Sequence, residues 1–168
     1  MEPPSTRSVC VLNESGLELP VSEIERAVDM SLAMQGITAG DVSVLLTDDG
    51  GIQALNFRFR ALNEPTDVLT FVSCDPMNLG SLGDIAISVP YAKKQATLRG
   101  VCLDQELAFL AIHGALHLAG FDDESESDRA QMVAEMNRVA IKAGFMPDLE
   151  WASILHEHSE NDLYGVSA

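Results

Sequence analysis

His113 and His117 stand four residues apart in the run His113-Gly-Ala-Leu-His117-Leu-Ala-Gly120-Phe-Asp-Asp123. In a helix that spacing puts two imidazoles on one face, where both ring nitrogens reach a single ion. Gly120 offers the left-handed conformation that closes a helix, and the chain turns back to deliver a carboxylate three residues later. Spacing favours Asp123 as the third ligand, with Asp122 a competing donor beside it. One histidine amid Leu, Ile and Ala is more often a hydrogen-bonded core residue. Two at this spacing, a helix-ending glycine and an acidic pair together favour a metal site. An ion held there could polarise a phosphoryl oxygen or lower the pKa of a bound water.

The spacing is also that of the long zincin pattern His-Glu-x-x-His-x-x-Gly-x-x-His. Asp123 takes the place of the third histidine, and Gly114 holds the place of the glutamate that serves peptidases of that class as general base. The ligand spacing is therefore zincin-like while peptidase chemistry is not expected.

The elements that must carry these residues follow from hydrophobic periodicity. Strands are predicted at Val9–Leu12, Val42–Leu46, Thr66–Val72 and Asp84–Val89, the last bounded by Pro90. A helix follows Ser22 as N-cap, with Ile24, Ala27, Val28 and Leu32 on one face and Gly36 as its stop. Asp48-Asp-Gly-Gly reads as a turn before a short helix from Ile52 to Phe59. Helices are then expected at Tyr91–Leu98, Asp104–Ala119 and Ser125–Ala143, with Asp104 and Ser125 as N-caps and Gly120 and Gly144 as stops. The Asp104–Ala119 helix is apolar on nearly all sides, so it belongs in the middle of the fold. Met132, Val133, Met136, Val139 and Ala140 form the packing face of the last helix. The expected fold is α+β: a small mixed sheet of about four strands packed with about five helices, with the metal-site helix buried centrally. Residues 1–155 form one domain, and residues 156–168, with His156 and His158, read as a polar tail.

Composition sets further bounds. The 168 residues suffice for one core, and 46% of them are hydrophobic. No apolar run approaches the roughly 20 residues that span a bilayer, and the N-terminus lacks a secretory pattern, so a cytoplasmic protein without a membrane partner is expected. Cys10, Cys74 and Cys102 form no CxxC and are expected as buried thiols. A net charge of −16 argues against whole-surface attraction to nucleic acid. The cations are nevertheless clustered, with Arg58 and Arg60 in one stretch and Lys93, Lys94 and Arg99 in another. Either a local basic patch or solvated helix faces would produce that distribution.

Three stretches in register resemble one family, the YbeY endoribonucleases. They are Leu55-Asn56-Phe-Arg-Phe-Arg60 followed by Pro65-Thr66-Asp67-Val68-Leu69-Thr70-Phe71, then Leu82-Gly83-Asp84-Ile85-Ala-Ile-Ser, then the histidine segment. The family usually has a third histidine where this chain has Asp123 and a tyrosine where it has Phe121. The substitution at 123 keeps three ligands and an open position but lowers the net charge of the site by one unit.

The resemblance implies a single-strand-specific, metal-dependent endoribonuclease. Its role would be 16S rRNA 3′-end maturation and ribosome quality control, with the precursor RNA and the small ribosomal subunit and its proteins as partners. It implies one divalent ion held by His113, His117 and Asp123. Zinc is the first expectation, and Asp123 widens tolerance toward manganese or magnesium. Arg60 matches the arginine of the family motif, and its planar fork suits phosphate oxygens that gain charge during cleavage. A structural salt bridge from Arg60 to Asp67 or Glu64 is the alternative. No general base can be named, and the attacking group is either water or the substrate's own 2′-hydroxyl. Asp67 and Asp84 are read as backbone-fixing residues. Two other readings stand beside this one: a noncatalytic ribosome-assembly factor with a structural metal, and a metallohydrolase of another substrate.

Overall fold

The computed structural model describes residues 5–64, 66–73 and 80–152. Its elements run β1 (Thr6–Asn13), α1 (Val21–Met34), β2 (Ala39–Thr47), α2 (Asp49–Arg60), β3 (Val68–Val72), β4 (Ser81–Ser88), α3 (Val89–Arg99), α4 (Leu103–Leu118) and α5 (Glu126–Ala143). The sheet order is β1-β2-β4-β3. β1, β2 and β4 are mutually parallel, and β3 pairs antiparallel with β4 at one edge. This is the α+β arrangement of four strands and five helices that periodicity called for.

Side chains alternate across each strand and so divide the helices between two faces. Val42, Val44, Leu46, Val68, Ile85 and Ile87 point toward α1, α4 and α5, forming the main core. Leu69 and Ala86 point the other way and meet Ile52 of α2. Helix α4 lies at the centre: every residue from Gln105 to His117 is buried. Leu107, Phe109, Leu110, Ile112 and Leu116 are wholly enclosed, each worth roughly 1.5–3 kcal/mol of transfer free energy. Truncating Leu110 to alanine would cost on the order of 2–5 kcal/mol.

Several boundaries differ from the sequence reading for identifiable reasons. Asp48-Asp-Gly-Gly is no free turn, because the Asp48 side chain accepts from Gly51 N at 2.7 Å and starts α2 three residues early. Pro90 does not simply close β4. It sits in the first turn of α3, where its missing N–H costs nothing, and Ser88 caps that helix through Tyr91 N. Neither Ser22 nor Asp104 is an N-cap; Pro20 and Cys102 occupy those positions without a side-chain cap bond. Ser125 and Gly144 hold the places expected of them. Cys10 and Cys102 are exposed rather than buried. Cys10 lies on the more exposed side of edge strand β1, and Cys102 lies in the α3–α4 connection. Cys74 and the tail with His156 and His158 fall outside the described residues.

Candidate metal centre

Helix α4 carries His113 and His117 across β4 at a very close approach. A Cβ at Gly114 would lie 2.8 Å from Ile85 Cγ2, so any larger residue there must displace the Ile85 side chain. The position therefore faces the sheet.

The helix then ends so as to complete the site. Gly120, at φ +102°, donates to His117 O at 3.0 Å, and Phe121 N donates to Leu116 O at 3.0 Å, the paired bonds of a Schellman turn. That turn brings the Phe121 carbonyl to 3.1 Å from His117 Nδ1. A carbonyl only accepts, so Nδ1 carries the proton and Nε2 presents its lone pair to the site. Ser125 caps α5 by accepting from Asp128 N, and Arg129 donates to the Asp123 and Glu124 carbonyls at 3.2 and 3.0 Å. The loop that carries Asp123 is thus fastened at both ends.

His113, His117 and Asp123 converge as one buried group. His117 Nε2 lies 3.1 Å from His113 Nε2 and 3.1 Å from Asp123 Oδ2, and His113 Nε2 lies 3.5 Å from the same oxygen. A tetrahedral zinc with bonds of roughly 2.0–2.1 Å separates neighbouring ligand atoms by about 3.3–3.4 Å. The donor set and its spacing fit that ion. Asp122 is turned away from the cluster, its Oδ1 accepting from Asp123 N at 2.7 Å. Beside the triad opens a largely apolar cavity of about 370 Å³, bounded by His113, Asp123, Arg129, Met132, Val133 and Trp151.

The other cations named from sequence are distributed differently. Arg60 ends α2, the helix packed on the opposite face of the sheet from α4, and it does not line this cavity. It is 9% exposed, and its Nε and Nη1 have no hydrogen-bond partner among the described residues. Arg99 leaves the supposed basic patch: it pairs with buried Glu106 at 3.0 Å. Lys93 and Lys94 remain exposed on α3. Asp67 accepts from Val68 N at 2.8 Å and from Gln95 Nε2 at 3.1 Å, the backbone-fixing role expected of it.

Sequence reasoning missed Glu106 and Trp151. Glu106 is 1% exposed and accepts from Trp151 Nε1 at 3.0 Å, and the Trp151 ring lies 4.9 Å from that of His113. Burial raises the Glu106 carboxyl to about 7, against the opposing pull of Arg99 and the indole bond. An acid seven residues before His113, on the same face of a largely apolar helix, was the available signal.

A sequence profile described as Endoribonuclease YbeY matches residues 13–144. An Endoribonuclease YbeY of Moorella thermoacetica is 38% identical over 80% of this chain and 96% of its own length. That of Roseiflexus sp. is 41% identical over 69% and 79%. A solution structure of a Thermotoga maritima protein superposes with TM-score 0.59 at 23% identity, covering 91% of this chain and 93% of that one, and so shares the fold. With the profile spanning residues 13–144 and relatives more than 30% identical over more than two thirds of the chain, the protein belongs to the endoribonuclease YbeY family.

Proposed function

We propose that the chain is a metal-dependent endoribonuclease that cuts single-stranded RNA. Its role is maturation of the 16S rRNA 3′ end and ribosome quality control in the cytoplasm, in contact with the small ribosomal subunit and its proteins. The observation that carries this reading is a buried three-ligand group, His113, His117 and Asp123, that opens onto a cavity.

Zinc is the ion assigned, with manganese or magnesium accommodated by the carboxylate. When bound, the ion supplies Lewis acidity toward a phosphoryl oxygen or a water. His117 is held in the coordinating tautomer by Phe121 O, and Asp123 contributes the one negative charge. Arg60 is assigned to the phosphate oxygens of the substrate. Its support is the motif match, since the side chain itself is buried and lies off the cavity beside the triad. Lys93 and Lys94 follow the RNA backbone, so binding weakens steeply with salt.

The test is cleavage of a labelled single-stranded RNA by the metal-loaded protein beside its His117→Ala variant and a chelator-treated sample. Cleavage confined to the intact, metal-loaded chain supports the reading. No cleavage with zinc, manganese or magnesium would turn it toward a noncatalytic assembly factor.

A further inference from the structure

Two turns before His113, on the same face of α4, the Glu106 carboxylate is enclosed in a set of contacts that the cleavage chemistry does not use. Arg99 Nη1 lies 3.0 Å from Glu106 Oε2 and 3.3 Å from Oε1. Trp151 Nε1 donates to Oε1 at 3.0 Å. The Arg99 guanidinium sits over the Trp151 ring, 5.3 Å from its centroid, and Arg99 Nη2 donates to Ala152 O. The indole also packs on Phe109, with centroids 6.3 Å apart. The indole also lies 4.9 Å from the His113 ring and bounds the cavity beside the triad.

The segment that delivers Trp151 is tied down along its length. Gln105 exchanges hydrogen bonds with the backbone of Met146, donating to its carbonyl at 2.5 Å and accepting from its N–H at 3.2 Å. Asn137 does the same for Asp148, at 3.1 and 2.7 Å. These ties fix the strap whether or not residue 106 is charged. A buried ion pair is a poor source of stability, because desolvation offsets its Coulombic gain, and an apolar residue of similar size would fill the site as well. What an apolar residue would not supply is an acceptor for the indole N–H and an anchor for the guanidinium that covers the ring.

We propose that Glu106 and Arg99 are positioning residues of the metal centre, acting through Trp151, whose ring they hold against His113 and along the wall of the substrate cavity. The inference rests on the metal site proposed above and adds a group behind the ligands that orients one of them. Outer contacts of this kind typically contribute about 10- to 100-fold in metal affinity or activity.

The experiment is a zinc titration read by the emission of Trp151, the single tryptophan of the chain. It is run on the full protein and on Glu106→Gln and Glu106→Met, with melting temperatures recorded alongside. A competing chelator indicator supplies the affinities of Trp151→Phe and of the Glu106→Met/Trp151→Phe double variant. Glutamine keeps an acceptor for the indole and should stay within about threefold of the parent. Methionine removes the acceptor and should shift Trp151 emission and weaken zinc binding about 10- to 100-fold. Trp151→Phe should weaken it similarly, and the double variant should be no worse than either single one, because both remove the same link. Unchanged zinc affinity in Glu106→Met, with only its melting temperature lowered, would overturn the proposal while leaving the metal site standing. Fully additive losses in the double variant would overturn it too. A parent protein that binds no zinc would remove the metal site itself and this inference with it.

Discussion

Helix α4 buries polar groups at two places two turns apart, and the partners they meet differ in kind. At Glu106 an acceptor meets donors: the guanidinium of Arg99 and the N–H of Trp151 converge on one carboxylate. At the C-terminal end three metal-ligating groups converge instead. His117 Nε2, its proton placed on Nδ1 by the Phe121 carbonyl, faces His113 Nε2 and Asp123 Oδ2 at 3.1 Å each. The protein completes the first arrangement from its own side chains, whereas the second presents the donor set of a metal site. The same helix thus carries a support and a candidate reactive site, and the kind of groups that converge tells them apart.

The hardest way to break that contrast is to remove a ligand. His117→Ala should lose more zinc affinity than the roughly 100-fold upper range of outer-contact changes, with RNA cleavage falling in parallel. Calorimetric titration and cleavage rates check this. Cleavage retained without metal would erase the distinction between the two ends.

The support should declare itself through pH. Burial lifts Glu106 from 4.5 to about 7, so the folded chain holds this proton more tightly than the unfolded one. Its stabilising contribution is full below about pH 4.5 and is lost as pH rises through about 7. Denaturant unfolding should show the parent losing roughly 2–3 kcal/mol relative to Glu106→Gln between pH 5 and pH 8. Parallel stability curves for the two proteins would contradict a buried, proton-sensitive support.

Gly114 lies beside the first ligand and tests how tightly the reactive end is pressed on the sheet. Gly114→Ala should cost on the order of 1–3 kcal/mol, because the new methyl meets Ile85. Equilibrium unfolding measures it. The smallest effect is expected from Ser125→Ala, which removes the α5 cap beside the Asp123 loop. It should lower stability by about 1 kcal/mol with the zinc stoichiometry unchanged.

Local chemistry makes much of this legible in the sequence itself. His-x-x-x-His with Gly120 and Asp123 is a short-range pattern whose geometry is set by the helix and its Schellman turn, so the convergence of those three residues follows from spacing. The central burial of α4 follows from its apolar residues on every side. Errors arise where a residue's role depends on distant neighbours. Arg99 resembles a surface cation until folding brings Glu106 and Ala152 to it. Trp151 carries no local signal for meeting His113, 38 positions earlier in the chain. The Asp48 cap and the Pro90 first turn are local but ambiguous, since the same residues serve turns and helix starts alike.

The most direct test of a triad-held ion is a zinc titration of metal-free protein beside Asp123→Asn, which keeps the shape of the side chain and removes its charge. The parent should bind one equivalent, and the variant should lose at least about 100-fold in affinity. One equivalent bound equally tightly by both proteins would contradict that claim, because the ion would then be held somewhere other than the triad.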